Sequence, residues 1–357
     1  MWNRSETTDR LSCHHVPTHL ATKRATSVSG GFDFGLAREE GGVSDGLQHS
    51  AIEVSVRGQW IPVSALKAHG HTVVITGNWL KVASVHDEEW LEQEFSDAEP
   101  CMDALRRLPT GRPDIFTFTQ KVPSAVPRHK FPMEWDSIAV ASFSSFEAWW
   151  NELPRETRKN VRRAQKRGVV LATNEFNDDL IRGIAAIQNE CAVRQGRRYQ
   201  HYGKTLDQVR RDHRSFIHRC DFITAHFENE LIGVLKLVYR GNLASIMQLN
   251  SMVAHHDKRP ANALLAKAVE LCAARGISHL VYGRYNYGNK NESGLREFKS
   301  RHAFHDLRMP RYYVPLTAWG QLCVKARLYR DLHQILPGPV IKTAVHLRAK
   351  WYERTSC

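Results

Sequence analysis

The residues between positions 189 and 204 form the densest group of side chains that could carry out acid–base chemistry. A histidine titrates near neutral pH, whereas a glutamate needs burial to raise its pKa into that range. A polar surface loop would explain any one of these residues, but their density favours a functional site. The group comprises Glu190, Arg194, Arg197, Tyr199, His201, Tyr202 and Lys204.

A second group is basic and falls at helical spacing. Seven basic residues, among them Arg158, Arg162 and Arg163, lie between positions 155 and 167 against the single acid Glu156. They occupy the i, i+3, i+4 and i+7 positions where an amphipathic helix normally carries its apolar stripe. Such a ridge repels itself in water and is stabilised by phosphates, so it predicts an anion-binding helix. A solvated basic helix is the alternative.

The stretch from Leu231 to Phe304 could hold a phosphate. Two strand-like runs separated by Gly241-Asn242 predict a hairpin. A basic connection that contains Lys258 and Arg259 then leads into a helix predicted over 262–275. Free N–H groups and the positive end of the helix dipole point into such a loop. An ordinary crossover with a solvated loop is the alternative.

Composition indicates a globular protein with one large or two small domains, because 42% of the 357 residues are hydrophobic. The net charge is +13. Most of it lies in two segments, 155–167 and 323–357, each with seven basic residues and at most two acids. Concentrated positive charge favours an anionic partner such as RNA, a phosphorylated donor or a membrane surface.

The cysteines and the apolar runs suggest a cytoplasmic protein. The seven cysteines are odd in number and contain no C-x-x-C pair. This favours reduced thiols over a disulfide frame or a metal site. No apolar run reaches membrane-spanning length, and the polar residues 1–10 are not followed by the apolar segment of a secretory signal.

Four regions are expected along the chain. Residues 1–50 are predicted to be a disordered tail, 51–150 an N-terminal α/β subdomain, 151–317 the main domain and 318–357 basic C-terminal helices. In the subdomain, strands are predicted over 51–85, 114–120 and 136–142, and helices over 87–95, 101–108 and 143–152. In the main domain, the predicted order is strand (168–176), helix (178–191), helix (206–220), strand (221–228), the hairpin, helix (262–275), strand (278–285), helix (293–302) and a strand over 307–316 that closes the sheet.

This order resembles the GNAT N-acyltransferase fold. Arg158–Ala164 (RKNVRRA) is similar to the K-x-R-x-x-x-R-R-A segment of the FemAB-like branch of that fold. Gly294–Lys299 (GLREFK), followed by Phe304, is similar to its G-L-x-x-F-K…F segment. The resemblance covers roughly 150–317. It implies an α/β (α+β) fold with a mixed, mostly antiparallel sheet flanked by helices, and 51–150 could be a reduced second GNAT-like half.

The resemblance also implies a reaction. Members of this branch move an acyl or aminoacyl group from acyl-CoA or aminoacyl-tRNA to an amine on a cell-envelope or sugar precursor, with no tightly bound cofactor. The usual GNAT loop reads Gln/Arg-x-x-Gly-x-Gly/Ala, but residues 258–263 contain no glycine. Glycine lets the backbone approach phosphate closely, so its absence shifts the resemblance toward the FemAB-like branch.

Particular residues acquire roles through the resemblance. The N–H groups of Met252 and Val253 would polarise the acyl carbonyl. The residues expected to hold the carrier are Lys258, Arg259, Asn262 and Ala263. The candidates for the base that deprotonates the amine are Glu190, His201 and His255.

The resemblance also gives catalytic roles to residues near the end of the stretch from Leu231 to Phe304. Tyr285 and Tyr287 stand where GNAT enzymes often keep a tyrosine acid, although tyrosines at this spacing could form one face of a strand. Lys299 matches the FemAB lysine and would neutralise the leaving group, unless it is a helix-surface lysine. The residues expected to bind anions are Arg158, Arg162, Arg163, Arg194 and Arg197.

The C-terminal segment predicts two helices, over 319–336 and 340–352. Basic amphipathic helices that end in Trp351-Tyr352 could lie on the inner face of an anionic membrane or dock on the enzyme itself. Two other functions stay open from the sequence: an RNA- or anion-binding module without chemistry, and a GNAT scaffold that has lost activity.

Overall fold

A computed structural model describes residues 48–330, apart from positions 57–58, 69, 89–93, 195–196 and 287–293. Most of the predicted tail lies outside the described residues, but positions 48–50 belong to the first strand. The described chain forms a twelve-stranded, mostly antiparallel sheet flanked by eight α-helices. This confirms the predicted fold class.

The first half is an antiparallel meander followed by a helical crossover into a parallel strand. The predicted helix over 87–95 falls largely on positions outside the described residues. The elements are β1 (Gln48–Val56), β2 (Gln59–Ala68), β3 (His71–Thr76), β4 (Val82–Val85), α1 (Glu99–Arg106) and β5 (Ile115–Thr119).

A central segment crosses to the second half. It contains β6 (Met133–Ser142), α2 (Phe146–Glu152) and α3 (Arg155–Lys166). Ser145 caps α2 by accepting a hydrogen bond from Ala148 N. Thr157 and Ala164 are the buried residues of α3, so this helix turns a narrow, small-residue face to the protein.

The second half repeats the plan of the first. Its antiparallel strands lead through a buried helix into a strand parallel to the last of them. The elements are β7 (Val170–Asn174), α4 (Asp178–Asn189), β8 (Val193–Arg194), β9 (Arg197–Arg198), α5 (Leu206–His213), β10 (Cys220–Phe227), β11 (Glu230–Arg240), β12 (Leu243–Ser251), α6 (Pro260–Ala274), β13 (His279–Arg284), α7 (Gly294–Arg301), β14 (His305–Pro315) and α8 (Ala318–Lys325).

The sheet order shows that the halves exchange a strand. It runs β1-β2-β3-β4-β5-β14-β6-β13-β12-β11-β10-β7. β14, the last strand of the second half, pairs with β5 of the first half. In return, β6 pairs with β13 of the second half. The prediction that 307–316 closes the sheet was therefore wrong, because β14 lies at its centre. A strand pattern gives the faces of a strand but not its partner.

α6 is the centre of the larger core. Its buried residues include Leu264, Leu265 and Val269. Gly233 on β11 lets the helix lie close, since an added Cβ would stand 3.0 Å from Leu264 Cδ1. Small residues at such contacts set the distance between helix and sheet.

Two predicted helices are shorter than expected. α5 ends at His213, because the chain turns at Phe216, where φ is +56°. α8 ends at Lys325, and the backbone N–H groups of Arg327 and Leu328 then donate to Val324 O and Cys323 O. That pattern closes a helix, here with Arg327 at φ +55°. The predicted helix over 340–352 lies outside the described residues.

Candidate functional site

The parallel strands β12 and β13 pair over three residues and then separate. Their ladder joins Leu243–Ser245 to His279–Val281. β12 continues to Ser251 and β13 to Arg284. Register shifts in the neighbouring ladders bend both strands. The parallel ladder therefore breaks off within the sheet, and this break, termed the gap between β12 and β13, lies beside the strand where the resemblance placed the acyl carbonyl.

The N–H groups expected to polarise that carbonyl have partners within the chain. Met252 N donates to Ile232 O at 2.9 Å. Val253 N and Ala254 N donate to the two carboxylate oxygens of Glu190, at 2.6 and 2.8 Å. In this conformation Glu190 braces the end of β12 instead of acting as a free base, and neither predicted donor is open to a substrate.

Arg194 is also an internal brace. Its guanidinium donates to Ser251 O at 3.2 Å and to Ile187 O at 2.5 Å, and it stacks 4.3 Å from the centre of the Tyr199 ring. It pairs with Glu190 at 3.5 Å. Its donors are directed into the protein, which argues against the predicted contact with an external anion.

His201 lies in a buried cluster that joins the two halves. Asp212 on α5 accepts a hydrogen bond from Trp60 Nε1 on β2 at 2.9 Å. Lys204 Nζ lies 2.5 Å from Asp212 Oδ2, and His201 Nδ1 lies 3.9 Å from the same oxygen. These contacts hold β2 of the first half against α5 of the second, and His201 is positioned for that role.

His255 is the base candidate with the most suitable surroundings. Its Nε2 lies 3.2 Å from Glu230 Oε2, while its Nδ1 is buried without a hydrogen-bond partner among the described residues. The side chains of two other predicted site residues lie outside the described part of the structure. Tyr287 lies outside the described residues, and only the backbone of Arg197 is described, paired with Arg194.

The first turn of α6 is packed against the sheet and does not form an open phosphate cradle. Pro260, Ala261, Asn262 and Ala263 are all buried. An added Cβ at Gly233 would lie 3.5 Å from Pro260 Cβ. The predicted carrier contacts at Asn262 and Ala263 are thus covered by protein, because no glycine is present in this turn to open the backbone.

Positive charge lies instead on the loop before α6 and on α3. Lys258 Nζ lies 4.4 Å from the centre of the Phe227 ring. Arg167, just after α3, donates to Asp257 Oδ2 at 2.6 Å and so ties that helix to the loop.

Arg158 and Arg163 flank the exposed stripe of α3. The stripe consists of Arg155, Lys159, Arg162 and Lys166.

Lys299 is buried and holds the end of β13. Its Nζ donates to Tyr282 O at 2.6 Å and to Arg284 O at 2.7 Å. Burial lowers the pKa of Lys299 to about 7. Tyr285 is largely buried, and its N–H donates to Ser137 O. Lys299 therefore fixes the backbone around Tyr285 instead of facing solvent.

A cleft between the halves contains charged residues that sequence reasoning missed. It encloses about 70 Å³ and is lined by residues of β5, β6, β13 and β14. Arg311 pairs with Asp136 at 2.6 Å and with Glu88 at 2.9 Å. Burial would raise the pKa of Asp136, but the charges of Arg311 and Arg284 hold it below its ordinary value. Arg284 and Lys121 add positive charge to the cleft lining.

One signal could have located this cleft. Asp136 and Arg311 interrupt strongly strand-like sequences, and a charge within a central strand is rarely left without a partner. Their pairing depends on the strand exchange, because Arg311 and Asp136 come from β14 and β6. Local sequence does not reveal that exchange.

Comparisons with known proteins give distant structural similarity. No protein-family model matches the sequence, and no curated protein matches it at a significant level. The C-terminal domain of a protein assigned as a lysylphosphatidylglycerol synthetase from Agrobacterium fabrum is 12% identical, with 72% of this chain and 84% of that chain covered and a TM-score of 0.48. FemX is 10% identical, with 78% and 91% covered and a TM-score of 0.46. L-PGS from Bacillus licheniformis is 13% identical, with 73% and 87% covered and a TM-score of 0.46.

The topology of the chain itself identifies its fold. Each half contains antiparallel strands followed by a helix and a parallel strand. In the second half, the parallel pair separates after three paired residues. By its element order and sheet topology, the chain has the GNAT fold, built as two halves that exchange a strand.

Proposed function

We propose that this protein is an N-acyltransferase that moves an acyl or aminoacyl group to an amine, with aminoacyl-tRNA as the favoured donor. The observation that carries the proposal is the separation of β12 from β13 after Ser245. An open strand edge inside a sheet offers backbone groups to an extended, amide-containing ligand. The edge thus provides a place to align a carbonyl group with an attacking amine.

The preference for a tRNA donor rests on where the positive charge lies. Acyl-CoA would place its pyrophosphate at the first turn of α6, which is buried. The exposed stripe of α3 runs for about 16 Å along the helix, longer than one pyrophosphate requires. A series of phosphates along an RNA strand matches such a stripe better.

The reaction would use groups at the end of β12. The amine nitrogen attacks the ester carbonyl carbon, the C–O bond to the ribose breaks, and the ribose oxygen takes up a proton. We assign removal of the amine proton to Nδ1 of His255, whose Nε2 lies beside the Glu230 carboxylate; Nδ1 is covered in this conformation and must be uncovered when the substrates enter. The Val253 and Ala254 N–H groups could then serve the carbonyl oxygen if Glu190 withdraws from them.

The acceptor is proposed to be an amine on a cell-envelope or sugar precursor, and this rests on the family resemblance. The five described cysteines, Cys101, Cys191, Cys220, Cys272 and Cys323, are free thiols, which supports a cytoplasmic location. None of the described helices has the length and hydropathy that a membrane crossing requires. No cluster of metal-ligating side chains occurs among the described residues.

Thermal unfolding with candidate donors tests the proposal. A ligand that binds only the folded chain raises its melting temperature. We expect aminoacyl-tRNA to stabilise the protein and to yield enzyme-dependent hydroxamate when hydroxylamine serves as a small amine acceptor. Stabilisation by acetyl-CoA or longer acyl-CoAs, with matching transfer, would replace the tRNA donor but keep the reaction class.

Two results would rule out acyl transfer as the function. Equal stabilisation by charged and uncharged tRNA, without transfer, would indicate an RNA-binding module. No stabilisation by any donor would indicate an inactive scaffold. Where the wild type forms hydroxamate, a His255→Ala variant tests the assigned base, because it should retain donor binding and lose hydroxamate formation.

A further inference from the structure

Two tryptophans and a leucine form an exposed apolar patch around α8, far along the chain from the gap between β12 and β13. The patch consists of Trp79, Trp319 and Leu322. Their exposed fractions are 49%, 41% and 54%. Trp319 and Leu322 lie three residues apart on α8 and therefore share one face of the helix. Such a contiguous patch marks a surface that contacts another apolar phase.

The patch is held rigidly by its supporting residues. Trp319 Nε1 donates to Trp79 O at 3.0 Å, and the two rings meet edge to face at 6.2 Å. Gly320 lies so close to the loop before β5 that an added Cβ would stand 1.9 Å from Asp114 O. Thr317 caps α8 and also donates to Asp114 Oδ1 at 2.8 Å. The indoles are therefore fixed in place on a docked helix.

Positive charge borders this apolar surface. Lys325 and Arg327 follow the patch residues of α8, are exposed, and have no acidic partner among the described residues. The following segment, 331–357, carries four more lysines and arginines against two acids. Indoles beside basic residues suit the boundary between anionic headgroups and acyl chains.

We propose that this patch docks the protein on an anionic phospholipid surface. Trp79, Trp319 and Leu322 enter the headgroup boundary, and Lys325 and Arg327 lie over the lipid phosphates. The proposal is independent of the transfer reaction, because it rests on different residues and can be tested without a substrate. The sequence-based expectation gave membrane contact to the basic C-terminal helices of 318–357 as a whole. The proposal assigns that contact to named residues of α8 and adds Trp79 from the turn before β4, which the expectation did not include.

Vesicle sedimentation tests the proposal on the full chain. One set of vesicles contains equal amounts of phosphatidylcholine and phosphatidylglycerol, and the other contains phosphatidylcholine alone. We expect the protein to bind the anionic vesicles, and Leu322→Glu to weaken this binding roughly tenfold or more, since a leucine contact is lost. Leu206→Glu is the matched control, because Leu206 is 45% exposed at the start of α5.

Each alternative occupant gives a different result. Equal binding by Leu322→Glu and Leu206→Glu would overturn the proposal, as would loss of binding only when Lys159, Arg162 and Lys166 of α3 are reversed to Glu. Vesicle binding seen only after removal of 331–357 would overturn docking by the full chain, because this segment would then cover the patch. A dimer disrupted by Leu322→Glu, with no vesicle binding, would mean that a second copy does so.

Discussion

Glu190 shows how one carboxylate can support two functional interpretations. Its residue type and position fit a general base, yet its oxygens accept hydrogen bonds from Val253 N and Ala254 N. The two ends of this interaction lie more than sixty residues apart. No spacing rule in the sequence could have indicated it. The carboxylate therefore belongs to the support of the site in this conformation.

A substitution separates the two roles of Glu190. If it is a brace, Glu190→Ala should reduce the free energy of unfolding by about 1 kcal/mol and leave transfer within a few-fold of wild type. If it is the base, transfer should fall by roughly 10² to 10⁴ with little change in stability. We expect the first result. Urea unfolding and hydroxamate formation measure both, with Glu190→Gln as the conservative control.

Lys299 gives a prediction about pH. The pKa of Lys299 is about 7 when folded, against an ordinary value near 10.5. Between these pH values the unfolded chain holds the proton and the native chain does not, so stability rises with pH. Each pH unit in this window raises the free energy of unfolding by about 1.4 kcal/mol at most. The cost of burying the charge is fully present below pH 7.

The Lys299→Met variant isolates this effect. Methionine retains the apolar stem but leaves Tyr282 O and Arg284 O without their donor, which should cost roughly 1–3 kcal/mol per unsatisfied group. The wild-type advantage should increase from pH 6 to pH 9 in urea unfolding. Lys236, whose pKa burial lowers to about 8, is present in both proteins and cancels in the difference. A pH-independent difference would mean that Lys299 is not the titrating group.

At the scale of elements, periodicity predicted most of what forms. The hairpin β11–β12, the helix α6 and the strand β13 all occur within a few residues of their expected positions. Their local patterns agree with the fold, which is why the sequence was sufficient. α5 was overextended because the backbone reversal at Phe216 has no glycine or proline to indicate it.

Charge reversal along α3 tests the element that we assign to the donor. Lys159→Glu, Arg162→Glu and Lys166→Glu together should weaken tRNA binding and flatten its dependence on salt, since fewer counterions are released. Filter binding over a range of salt concentrations measures both quantities. The triple reversal Lys67→Glu, Arg107→Glu and Lys130→Glu, at exposed positions before β6, changes the net charge equally and is the control. Equal losses in the two variants would point to net charge and not to α3.

Gly320→Ala tests how α8 is docked. The added Cβ would meet the backbone oxygen of Asp114 at 1.9 Å, and a backbone atom cannot move aside cheaply. We expect the free energy of unfolding to fall by roughly 1–3 kcal/mol. Gly294→Ala, at the start of α7, places its Cβ in open space and should be nearly neutral. If both variants unfold at the same urea concentration, α8 is not packed as described.

At the scale of the whole molecule, the exchanged strands make one structural unit of two similar halves. β14 and β6 each pair with a strand of the other half and with one another. The sequence suggested a second, reduced GNAT-like half, but not the exchange, since strand partners separated by more than a hundred residues leave no local pattern. The charged cleft was missed for the same reason, because Arg311 and Asp136 meet only after the exchange.

The exchange predicts which fragments of the chain can fold. A fragment of residues 151–330, cut where the sequence suggested a domain boundary, lacks β6 and leaves β13 and β14 without their shared partner. Unpaired strands in the middle of a sheet expose backbone groups and apolar surface, so this fragment should aggregate or unfold without a cooperative transition.

A fragment of residues 133–330 restores the sheet β14-β6-β13-β12-β11-β10-β7. It should regain a cooperative thermal transition by circular dichroism, at a lower temperature than the full chain, because β14 still lacks β5. Cooperative folding of the shorter fragment would mean that the second half is complete without β6.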